Sequence, residues 1–175
     1  RNEAYDATLV PQVNLYNDYF NGNMGCIVFQ EMRESRGLAY GAGAGSNTPS
    51  YRKYPFTYGA YISTQTDKLM DAIRAFDEII NHMPQSEAAF ALARTGSIDR
   101  LRTERVSKSA VLWDYIDNQD LGLSEDLDKV YYQFLQTSTI ADVVKFQQEW
   151  VKGRTYHFGI LGDKNHLDMK SLKQM

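Results

Sequence analysis

The chain has a single cysteine, Cys26, among 175 residues, so no internal disulfide is available to staple it. Histidine is nearly as scarce. His82, His157 and His166 are all there is, and none has a second histidine at helical spacing. The inverted zinc motif H-x-x-E-H is therefore absent, and with it the usual two-histidine clamp. No excess of basic residues is present: the formal net charge is −3, which argues against a nucleic-acid-binding face. No apolar run approaches the ~20 residues needed to cross a bilayer, so no membrane partner is expected. The glycine-rich stretch Gly41-Ala42-Gly43-Ala44-Gly45 lacks the Gly-Lys-Ser/Thr of a phosphate loop. Small residues at that spacing point instead to close backbone packing.

What remains is an ordinary globular composition, 43% hydrophobic and 23% charged. Its length suits one domain with a core of its own. A lone cysteine fits the cytoplasm and does not exclude the periplasm. The sequence starts at Arg1 and stops at Met175 inside a helical pattern (Leu167, Leu172), and both ends read as cut. Residues 1–175 are thus expected to be one domain of a longer polypeptide, with its compartment left open.

Pro11 suits the first turn of a helix that carries Val13, Tyr16 and Phe20. Asn21-Gly22-Asn23 is a turn signal. A second helix is predicted from about 24 to 36, then strands at about 39–48 and 54–64 joined through Pro49 and Pro55. Leu69, Ile73, Phe76, Ile80 and Met83 recur at helical spacing, with Asp67 as the expected N-cap. Further helices are predicted from Ser86, at 108–119 with Val111, Leu112, Tyr115 and Ile116, at 125–135 and at 139–151. Thr139 and Asp142 are placed for a capping box. Tyr156 to Leu161 is apolar on both faces and is predicted to be a central strand. Two strands, a block of helices and a late strand make an α+β pattern.

Residues 29–40, Phe-Gln-Glu-Met-Arg-Glu-Ser-Arg-Gly-Leu-Ala-Tyr, are the most informative run. A helix carrying Arg33 is predicted to close at Gly37 in a left-handed cap, after which the chain leaves extended to Tyr40. That geometry aims a guanidinium and a phenol at one side of a cleft. The plain alternative is an arginine that complements a helix dipole and a half-buried strand tyrosine. Arg36 is expected to cap the helix end or to pair with Glu31 or Glu34.

This run closely resembles the non-catalytic, C-terminal half-domain of the insulinase/pitrilysin family of zinc metallopeptidases, which includes the mitochondrial processing peptidase. Asn17 to Gly25, Thr64-Gln65-Thr66-Asp67-Lys68, Asp120-Leu121-Gly122-Leu123 and Ile160-Leu161-Gly162-Asp163 continue the likeness in order. The resemblance implies a mixed β-sheet with helices packed on one face, with its first strand or strands lacking here. It implies no metal in this chain, but a zinc ion in a homologous partner half, within one polypeptide or between subunits. It also implies that the two halves close around an unfolded peptide. Arg33 would donate to a substrate carbonyl, and the Tyr40 hydroxyl would help hold the carbonyl that becomes the oxyanion. Two other readings stand beside it: a scaffold or assembly domain of the same family, and a binding module that uses the surface of a chain with 12 tyrosines.

Overall fold

The computed structural model describes residues 4–172. Helix α1 (Val10–Asn21) opens with Pro11 in its first turn and forms the axis of the core. Tyr16, Tyr19 and Phe20 on one face of it are fully buried. Tyr16 stacks on Phe20 (ring centroids 5.2 Å apart) and tilts against Phe146 (5.1 Å). The Tyr19 hydroxyl donates to the Pro84 carbonyl (2.8 Å) and accepts from the Ser86 N–H (3.0 Å), so its polar end is satisfied where its ring is buried.

Helix α2 begins as Ile27–Phe29 and widens into a π turn over Gln30–Ser35. It starts three residues later than predicted. Asn23 Oδ1 accepts from the Gly25 N–H (2.7 Å), and this local turn competes with helix for the preceding residues. Strands β1 (Gly41–Asn47) and β2 (Thr57–Ser63) pair antiparallel, with Gly43 opposite Tyr61 and Ser46 opposite Tyr58. Ala42, Ala44, Tyr58 and Ile62 face the helical layer. The opposite face carries the exposed Tyr61.

Helices α3 (Leu69–Asn81), α4 (Glu87–Thr103), α5 (Lys108–Asp120), α6 (Leu127–Thr137) and α7 (Ile140–Phe146, widening into a π turn over Gln147–Val151) follow, with a short α8 (Met169–Leu172). Ser86 caps α4 through the Ala89 N–H, and Thr139 with Asp142 forms the predicted capping box of α7. Asp67 is not a side-chain cap. It lies in a 3₁₀ turn, Thr66–Lys68, that leads into α3. Gly153, at φ +70°, closes the π turn after α7.

The fold class is α+β, as expected, but the sheet differs from the expectation. Among the described residues it has two strands, and it is antiparallel rather than mixed. Residues 154–161 run on without pairing to it, and Phe158, Ile160 and Leu161 are exposed. The apolar character of this run was read as burial on both faces, yet a strand becomes central only when a neighbour lies on each side. Helix α5 forms where predicted, with its apolar residues outward. Val111, Leu112, Tyr115 and Ile116 are all exposed, as is Trp113. Trp150 instead packs on the core, stacked on Phe146.

Candidate functional site

The site starts from the end of α2. Gly37 takes the left-handed conformation (φ +57°) that only glycine adopts cheaply. Its N–H donates to the Arg33 carbonyl (3.1 Å), and the N–H groups of Leu38 and Ala39 both donate to the Met32 carbonyl (2.9 and 3.2 Å). The π turn supplies this extra carbonyl at the helix end. Thr64 Oγ1 then donates to the Leu38 carbonyl (2.5 Å), and Lys68 Nζ donates to the Gly37 carbonyl (3.1 Å). The Tyr40 N–H donates to the Ser63 carbonyl at the end of β2 (3.0 Å). Residues 37–40 are thus tied to the hairpin and to the start of α3.

Arg33 and Tyr40 meet across this turn. The guanidinium carbon of Arg33 lies 5.8 Å from the Tyr40 ring centre and 5.1 Å from that of Phe29. Its nearest carboxylate, Glu34, is 3.8 Å away and half-exposed. A pair that open to water is weakly held, so the five-donor fork is available to another acceptor. Tyr40 is 86% exposed, which removes the reading of a half-buried strand aromatic. What the arrangement offers chemically is two outward-facing donors on a rigid turn, suited to carbonyl oxygens.

Arg36 points elsewhere. Its guanidinium pairs with Glu31 (3.3 Å) and with Glu78 of α3 (2.7 Å). The hydrogen bond to Arg36 holds the Glu78 carboxyl below the usual carboxylate range, and the same bond raises the Arg36 pKa. Glu31 was anticipated from sequence. Glu78, 42 residues away, was not, and neither were Thr64 and Lys68 as holders of the turn. The likeness at Thr64 to Lys68 was the only signal that pointed to that segment.

The glycine stretch does pack tightly. A Cβ on Gly45 would lie 2.8 Å from Asn17 Oδ1, and one on Gly43 would lie 2.6 Å from the Tyr61 ring. Asn17 uses that space. Its Nδ2 donates to the Ser46 carbonyl (2.8 Å) and its Oδ1 accepts from the Ser46 N–H (2.9 Å). His157 lies exposed in the unpaired run. His82 sits at the end of α3, and His166 contacts Asp163 (2.8 Å). Among the described residues, no three His, Cys, Asp or Glu side chains converge as a metal site.

The family model described as the peptidase M16 inactive domain matches residues 3–96, more than half of the chain and all of the turn that carries Arg33 and Tyr40. The chain belongs to this family. A crystal structure described as the peptidase M16 inactive domain from Pseudomonas fluorescens shares the fold, with a TM-score of 0.60 at 18% identity over 83% of this chain. The chain spans about a third (34%) of the length of that protein. A search of curated proteins finds no match. Membership of the M16 inactive domain is that of a non-catalytic peptidase domain, the class to which the 29–40 run pointed.

Proposed function

We propose that this M16 inactive domain is the substrate-binding half of a zinc-dependent metalloendopeptidase. Its partner is a homologous half that carries the zinc ion, in the same polypeptide or in another subunit. Facing that half, Arg33 binds a backbone carbonyl of an unfolded peptide. The Tyr40 hydroxyl donates to the carbonyl under attack, where charge grows in the transition state. The chemistry at the metal belongs to the partner half; this chain orients the peptide and supplies donors.

The observation that carries the reading is the Arg33–Tyr40 pair, held 5.8 Å apart on an anchored turn with the phenol almost fully exposed. An exposed tyrosine fixed by its backbone to the end of β2 is preorganised for a partner and does nothing for the core.

The test is Tyr40→Phe in the complete parent enzyme with a peptide substrate. Loss of one transition-state donor lowers kcat about 10²–10³-fold, with a smaller change in KM. Arg33→Ala raises KM as well, because a ground-state contact is lost. An unchanged kcat in Tyr40→Phe, or a parent with no peptide hydrolysis at all, overturns the assignment and leaves the scaffold reading.

A further inference from the structure

Two arginines stand at the same helix end, and they are held in opposite ways. Arg36 is gripped by carboxylates: its Nη1 donates to Glu78 (2.7 Å) and its Nη2 to Glu31 (3.3 Å). Those contacts occupy the donors of the fork with acceptors of its own chain. Arg33 makes no hydrogen bond among the described residues, and its nearest carboxylate oxygen lies 3.8 Å away. Rings hold it instead. Its guanidinium carbon lies over Phe29 at 5.1 Å and over Tyr40 at 5.8 Å.

Phe29 is the firmer of the two platforms. It stands four residues before Arg33, about one helical turn, where the α segment Ile27–Phe29 widens into the π turn. A helical side chain leans back towards the N-terminus, so the guanidinium falls over the Phe29 ring. That ring is half-buried and packs against the core, beside the fully buried Val28. Tyr40 is 86% exposed and is tied through its backbone, so its ring has more freedom.

A ring attracts a cation through its face and takes no N–H in doing so. It restrains a long, half-exposed side chain while leaving the five donors of the fork open. For a residue that meets an incoming acceptor this is the useful kind of hold, because the side chain is ordered before binding rather than during it. We propose that Phe29 is a positioning residue: its ring holds the Arg33 fork in place for a peptide carbonyl and itself touches no substrate. The consequence for substrate rests on the peptidase reading, but the stack belongs to the free chain and is measurable there. If Phe29 only filled the core, any apolar side chain of similar size would serve as well.

Two measurements test it. In the 175-residue chain, NMR follows the Arg33 Nε–H resonance, which the ring current of Phe29 displaces upfield. Phe29→Leu keeps an apolar side chain without a ring face, and the resonance should move downfield. Phe29→Met, unbranched and adaptable in packing, should do the same. Phe29→Tyr keeps the face and should leave the resonance near its parent position. In the complete parent enzyme, Phe29→Leu and Phe29→Met should raise KM about 2–5-fold with kcat little changed, the factor expected for one exposed cation–ring contact. Phe29→Tyr should restore the parent KM. In an Arg33→Ala background, Phe29→Leu should raise KM no further. An Arg33 resonance that ignores the loss of the ring overturns the proposal. So does a rise in KM that Phe29→Tyr fails to rescue, or one that persists undiminished without Arg33. A KM unchanged by Arg33→Ala strikes instead at the peptidase reading, and the resonance then decides the stack by itself.

Discussion

On the β1 side of the hairpin, one side-chain amide lies along the strand and takes both outward peptide groups of Ser46. On the β2 side, Tyr58, Ala60 and Ile62 present the same kind of groups to a groove, and among the described residues no backbone group bonds to them. The contrast teaches what it takes to satisfy one position of a sheet edge. A primary amide carries one carbonyl and N–H donors, so it imitates a neighbouring strand at a single register position. It works here because α1 already lies beside β1 and because Gly45 leaves room for the amide. Among the described residues, no side-chain amide reaches the β2 edge in this way. The α3 side chains below it are hydrocarbon and supply a floor, not a partner.

The sharpest way to break this comparison is to remove the amide from the β1 edge. Asn17→Ala removes both bonds and leaves the Ser46 peptide groups unpaired beside a nearly buried residue. We expect a loss of about 2–4 kcal/mol in urea unfolding, since each orphaned group costs about 1–3 kcal/mol. Gly45→Ala acts on the same contact from the other side. Its Cβ would lie 2.8 Å from Asn17 Oδ1, so the amide must shift. A cost of about 1–3 kcal/mol is expected. In the Asn17→Ala background most of that cost should vanish, and a double-mutant cycle measures the difference. Additive costs would show that the glycine serves something other than the amide.

The smallest effect concerns the turn that feeds β1. Glu78 is exposed, and its carboxyl is held low by the Arg36 guanidinium. A depressed carboxyl pKa stabilises the fold above the ordinary carboxylate value of 4.5, and that contribution is lost as pH falls through the folded-state value. Acid unfolding of Glu78→Gln should therefore lack a small component below about pH 4.5 that the parent chain shows. Identical acid profiles would mean that the pair is a solvent-screened contact with no bearing on the turn.

Much of the scaffold was legible because it is local. The α3 stripe, the capping box of α7, Pro11 in the first turn of α1 and the left-handed Gly37 each depend on neighbours within one or two helical turns. The misreadings share a different cause. The run 156–161 was read from apolar content, which reports what a side chain prefers but not whether a neighbour arrives to bury it. The start of α2 was set by the Asn23 turn, and Asp67 lost its cap role to a 3₁₀ turn. At the candidate site, the pair Arg33 and Tyr40 was readable from the 29–40 run. Thr64, Lys68 and Glu78 were not, because their contacts cross 26, 31 and 42 residues of chain.

By itself the sequence determined the family, the α+β class, the order of the helices and the turn that sets Arg33 seven residues before Tyr40. These follow from local conformational preference and from a run of twelve residues, for which nearby positions suffice. Only the tertiary structure decided that Arg33 and Tyr40 face outward together, that Asn17 takes the Ser46 peptide groups on one edge of the hairpin, and that the other edge opens on a groove. Each of those outcomes is a matter of which distant backbone group comes within hydrogen-bond reach, and packing alone settles that.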